Sequence, residues 1–66
     1  MKEGKIETHS TSANVTYKYN DGLVSFYLDG KQVIFQVVDD SEEGVAAAIY
    51  DFVKVFNAGF DYNNQL

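Results

Sequence analysis

His9 is the only imidazole in the chain, set among the hydroxyls of Thr8, Ser10, Thr11 and Ser12. Nucleophilic or general-base chemistry needs a base beside its nucleophile, a group that orients the base, and donors for the developing oxyanion. The segment offers hydroxyls and a base but no orienting or oxyanion group, and the chain contains no cysteine. His9 is therefore read as a solvated side chain. No catalytic residue is assigned, and the chain is expected not to be an enzyme.

The run Asp39-Asp40-Ser41-Glu42-Glu43 is the densest set of carboxylates. It lacks the spaced D-x-[DN]-x-[DN]-G pattern of a calcium loop, and the start of a helix accounts for it better. Gly22, Gly30 and Gly59 show neither G-x-G-x-x-G nor P-loop spacing, so phosphate cradling has no support. Neither a metal nor a cofactor is expected. Asn14-Val15-Thr16 matches a glycosylation sequon but falls within a predicted strand, and is read as chance.

What must position these residues is a single small domain spanning residues 1–66. At this length a core is near the lower limit of self-sufficiency. Without cysteine, neither disulfides nor thiolate metal sites staple it, so packing or association must hold it. Ten acidic residues face five basic ones, all lysine, for a net charge of −5 and a pI near 4.4. That balance disfavours direct contact with nucleic acid and favours a protein partner with a basic surface. The start MKEGKIETHSTSANV has no apolar run of signal-peptide length, and no stretch is long and apolar enough to span a bilayer. A cytoplasmic protein without membrane contact is the expectation.

TYKYNDGLVSFYLDGKQVIF, residues 16–35, contains two Asp-Gly pairs, the strongest local signal for two-residue type I′ hairpin turns. A turn at Asp21-Gly22 pairs Asn20 with Leu23, Tyr19 with Val24, Tyr17 with Phe26 and Val15 with Leu28. A turn at Asp29-Gly30 pairs Leu28 with Lys31, Phe26 with Val33 and Val24 with Phe35. Opposed side chains share a face, so Val15, Tyr17, Tyr19, Val24, Phe26, Leu28, Val33, Phe35 and Val37 are expected on one apolar surface. The other face is mostly polar but carries Leu23, Tyr27, Ile34 and Val38.

The cover for that surface is the segment DDSEEGVAAAIYDFVKVFNAGF, where apolar spacing changes to a helical period. Val45, Ala48, Ile49, Phe52, Val55 and Phe56 form the expected stripe, flanked by Val53, with Ala47, Asp51, Lys54 and Ala58 opposite. Asp40 is the expected N-cap, with Glu43 reaching back as its capping-box partner. Asp39, Glu42 and Glu43 suit the positive end of the helix dipole. Gly59 is expected to stop the helix, placing Phe60 against Val55. Residues 1–11 either extend the first strand backwards or stay frayed. Residues 61–66 are read as irregular, with Tyr62 packing back. The predicted architecture is α+β: a three-stranded antiparallel β-meander covered on one face by a C-terminal helix (βββα).

The candidate binding residues follow from this arrangement. Leu23, Tyr27, Ile34 and Val38 form an association patch, Tyr27 and Tyr50 are aromatic anchors outside the main apolar face, and Asp39, Asp40, Glu42, Glu43 and Asp51 are contacts for a basic target. Residues 29–60, a strand behind an Asp-Gly corner, then an acidic stretch and a helix ending FVKVFNAGF, resemble the small acidic phage-encoded inhibitors of host defences. Within that group they are similar to anti-CRISPR type inhibitors of the Cas9 nuclease, in which F-[IV]-x-x-F-x-x-G-[FW] closes a helix behind a three-stranded sheet. The resemblance implies a non-catalytic protein that binds and blocks a host defence or nucleic-acid-processing protein in the host cytoplasm, and it assigns no role residue by residue. Two other classes remain open from the sequence. One is a homo-oligomeric accessory or structural protein, and the other an oligomer that sequesters a small ligand between protomers.

Overall fold

The structure, a computed structural model, describes residues 2–65. It is α+β, with one antiparallel sheet and one C-terminal helix. Four strands, β1 (Lys2–Ile6), β2 (Val15–Asn20), β3 (Leu23–Leu28) and β4 (Lys31–Val37), form a meander in that order and precede α1 (Glu42–Asn63). Three strands were expected. The fourth is β1, paired with β2 from Lys2 opposite Tyr19 to Ile6 opposite Val15. Its alternation is hidden because Ile6 is the only large apolar residue in KEGKI, while Tyr17 lays its ring over Gly4. A Cβ at Gly4 would stand 2.9 Å from Tyr17 Cε1.

Both Asp-Gly corners take the predicted turn. Asp21 and Gly22 have φ of 49° and 76°, and Asp29 and Gly30 have φ of 51° and 87°, the left-handed values a type I′ turn demands at both central positions. The β2–β3 register is the expected one throughout. Asp29 also ties the second corner to the foot of β2. Its carboxylate accepts from the Asn14 N–H at 2.9 Å, and its own N–H donates to the Asn14 carbonyl at 2.8 Å.

The β3–β4 register holds only for Leu28 opposite Lys31 and Tyr27 opposite Gln32. A bulge opposite Phe26 and Tyr27 then inserts one residue, so that Phe26 faces Ile34, Ser25 faces Phe35, Val24 faces Gln36 and Leu23 faces Val37. Because side chains alternate with period two, one inserted residue exchanges the faces of everything beyond it. Phe35 and Val37, expected in the core, stand on the outer face beside Leu23 and Ser25. Val33 stays on the helix side as expected, Ile34 joins it there, and Val38 packs partly buried against the core.

The core lies under α1 and over β1–β3. Ile6, Val15, Val24, Phe26, Val45 and Ala48 are buried, and Tyr17, Tyr19, Ile49, Phe52, Val53 and Phe56 close around them. Phe26 and Phe52 stack at 4.2 Å between ring centres with planes 2° apart. The buried stripe is rotated from the expected one, taking in Val53 and leaving Val55 73% exposed. The helix therefore does not cover β4, all seven residues of which are exposed.

Both predicted ends of the helix shift. Ser41, not Asp40, is the N-cap, its hydroxyl accepting from the Gly44 N–H at 3.0 Å. Glu42 and Glu43 lie in the first turn, as the dipole favours, but no capping box forms through Asp40. Asp40 instead accepts a hydrogen bond from the Tyr19 hydroxyl. At the other end the helix runs through Gly59 to Asn63, with Asn64 as C-cap, so the expected Phe60–Val55 closure is absent. Tyr62, expected to pack back from an irregular tail, is exposed in the last turn. Met1 and Leu66, at the ends of the two segments left uncertain by the sequence, lie outside the described residues.

At 22 residues α1 spans about 33 Å, whereas seven-residue β4 spans about 23 Å. The last turns consequently overhang the sheet. Gly59 sits in this overhang, and a Cβ added there would meet nothing within 4 Å. Gly59→Ala should then gain roughly 0.5–1 kcal/mol from the smaller entropy loss of alanine in a helix. Thermal denaturation checks this: a lowered midpoint would mean that residue 59 leaves the helix in solution.

Candidate protein-binding surfaces

Five of the ten carboxylates gather at one end of a molecule 40 Å long. Val38 donates its N–H to the Gly22 carbonyl at 2.8 Å, which sets the β4–α1 connection beside the β2–β3 corner. Asp21 of that corner, Asp39 and Asp40 of the connection, and Glu42 and Glu43 of the first helical turn thereby come together. All five are exposed. The connection is fixed locally: the Ser41 N–H donates to the Asp39 carbonyl at 2.7 Å, and the Val45 N–H to the Ser41 carbonyl at 3.1 Å. Lys2, opposite Tyr19 at the end of β1, lines a shallow hollow with Tyr19, Asn20, Asp21 and Asp40. Four residues of this acidic end, Asp39, Asp40, Glu42 and Glu43, were singled out in the sequence. Asp21 joins them through the turn.

The apolar association patch does not form as expected. Leu23 and Tyr27 lie on the outer face, where the Lys18 ammonium stands 5.0 Å from the centre of the Tyr27 ring. Ile34 is on the helix side, and Val38 is turned inward and partly buried, because both follow the bulge. Tyr50 is 65% exposed on the helix surface away from the sheet. Asp51, expected opposite the buried stripe, borders a groove between α1 and β4.

That groove is an apolar concavity of about 430 Å³. Phe26, Leu28 and Ile34 form its floor, Phe52, Val55 and Phe56 its helical wall, and Gln36 and Asp51 its polar groups. It exists because the bulge directs Val33 and Ile34 toward the helix while α1 packs over β1–β3. The outer face of β4 is apolar as well, with Phe35 58% and Val37 76% exposed. Sequence reasoning placed Val33, Phe35, Val37 and Val55 in the core and so missed them as surface.

His9 is exposed but held. Its N–H donates to Asn57 Oδ1 at 2.8 Å, and its Nδ1 lies 2.9 Å from Asp61 Oδ2. Asp61 is thus an orienting carboxylate that the sequence did not reveal, 52 positions away. The neighbouring hydroxyls are engaged in the loop itself: Thr8 Oγ1 accepts from the Ser10 N–H at 3.2 Å, and Ser10 Oγ from the Ala13 N–H at 3.1 Å. The set fastens the β1–β2 loop to the overhanging end of α1.

No helix of the described residues is long and apolar enough to cross a membrane. No family model, curated protein or solved structure matches the chain.

Proposed function

We propose that the chain acts by binding: a small acidic inhibitor, of the kind phages direct at host defences, that blocks a host protein of defence or nucleic-acid processing through that protein's basic surface. The observation that carries this reading is the collection of Asp21, Asp39, Asp40, Glu42 and Glu43 at one end, with Lys2 as the neighbouring cation. A basic groove built for phosphates is attracted by such an end at a distance and is occluded when the end docks.

The test is capture from a bacterial lysate followed by titration of the isolated pair. Affinity should fall at least about tenfold between about 0.05 and 0.5 M salt, since exposed charges are screened over that range. Glu42→Lys and Asp39→Lys should each weaken binding about tenfold, whereas Glu7→Lys, in the loop that fastens to the far end of α1, should change it little. Salt-independent binding, or equal effects of all three variants, would remove the charge-led reading.

A further inference from the structure

The two edges of the sheet are built differently. β1 carries Lys2, Glu3 and Lys5 among its five residues, the kind of charge that guards an edge against pairing. β4 carries one charge, Lys31, at its first position, and Gln32 to Val38 are uncharged. Val33, Ile34, Phe35 and Val37 are each more than half exposed. The Val38 N–H is directed at Gly22 in the sheet, so by alternation Phe35 and Val37 present their N–H and C=O groups to the open side. An edge both apolar and unpaired is a template for another strand.

We propose that β4 pairs antiparallel with β4 of a second copy of this chain, about a two-fold axis near Phe35, joining two sheets into one of eight strands. Charge selects the second copy as occupant. In any antiparallel pairing centred near Phe35, Lys31 of each copy comes alongside the Val38–Asp40 segment of the other, where the acidic run begins, and the symmetry supplies this contact twice. Area points the same way. A stable interface takes about 800 Å² from each partner, roughly one sixth of the 4852 Å² surface of this molecule. A seven-residue edge alone falls short of that. The two-fold axis also sets both helices on the same side of the joined sheet, so the two grooves open toward the seam between them. This surface meets the acidic end only at Asp39 and Asp40, and the inference does not depend on the inhibitor reading.

Light scattering on the whole chain should give twice the 7.4 kDa chain mass. Phe35→Lys and Val37→Lys alter exposed side chains only, so they should keep the parent circular dichroism while weakening the dimer at least about 100-fold. Lys31→Glu should weaken it about tenfold, and adding Asp39→Lys should restore it. Phe35→Cys, in a chain without other cysteines, should oxidise to a covalent dimer. A folded chain that stays monomeric up to about 100 µM overturns the proposal, whether the groove then takes a foreign peptide or an apolar small molecule. A dimer untouched by both lysine variants overturns it equally. Partner capture by the monomeric Phe35→Lys chain reports on the acidic end alone, so the two readings can fail separately.

Discussion

Phe26→Ala is expected to leave the domain largely unfolded at 25 °C. Phe26 is 1% exposed, the largest of the fully buried side chains, and its ring stacks on Phe52 from the helix. Truncation removes the transfer energy of the ring and leaves a cavity, together about 3–5 kcal/mol. A single core in a chain this short supplies about the same amount in total. Relaxation cannot offset the loss, because Val15 and Val24 beside it are held by the β2–β3 ladder and Ala48 offers only a methyl group, which no rotation can bring into the space. Phe26→Leu, which keeps most of the volume, should cost less than about 1.5 kcal/mol. Urea titration followed by circular dichroism separates the two. A Phe26→Ala midpoint equal to the parent's would show that the helix does not dock on β3.

Gly44→Ala should also destabilise, although the same change is favourable at Gly59. At Gly44 an added Cβ would stand 2.7 Å from the Asp39 carbonyl oxygen and 3.3 Å from the Asp39 nitrogen and Ser41 Oγ. Helix propensity alone favours alanine by about 0.8–1 kcal/mol. The overlap is with backbone, which cannot rotate away as a side chain would, and overpacking of that kind costs typically about 1–3 kcal/mol. Moving the Asp39–Ser41 connection to make room would forfeit the Ser41 cap, worth about 1 kcal/mol. Either route gives a net loss, expected as a midpoint lowered by about 4–8 °C for each kcal/mol. Opposite signs for Gly44→Ala and Gly59→Ala are the signature; a stabilised Gly44→Ala would mean that the connection yields freely.

Legibility followed how local the determining physics was. The turns at Asp21-Gly22 and Asp29-Gly30 are set by their own residues, and they carried the β2–β3 register completely. The bulge is different: KQVIFQVV offers apolar residues in both phases, and the choice between them is made by contact with Phe26 and the helix. Extrapolating from the second turn beyond Gln32 therefore exchanged the faces of Phe35, Ile34, Val37 and Val38. Asp40, Ser41 and Gly59 show the same limit. Asp40 is a good cap in isolation, but Tyr19 across the sheet claims its carboxylate, and Ser41 takes the helix start. Gly59 is a good helix stop in isolation, but the turn beyond it is held by Asp61 on His9 and by Asn64, whose side-chain amide donates to the Phe60 carbonyl at 2.8 Å. Four charges of the acidic end stood out because Asp39, Asp40, Glu42 and Glu43 lie together in sequence, whereas Asp21 reaches them only through the fold. The edge asymmetry was not, since it required knowing that β1 exists.

The fastening of the β1–β2 loop to α1 joins regions that are remote along the chain, through the His9 contacts to Asn57 and Asp61. The opening strand is thereby moored to the closing turns of the helix, and whatever frees one slackens the other. Loosening of the helix beyond Gly59 should consequently release the β1–β2 loop as well, while the start of β1, paired with Tyr19 at the opposite end of the molecule, keeps its ladder.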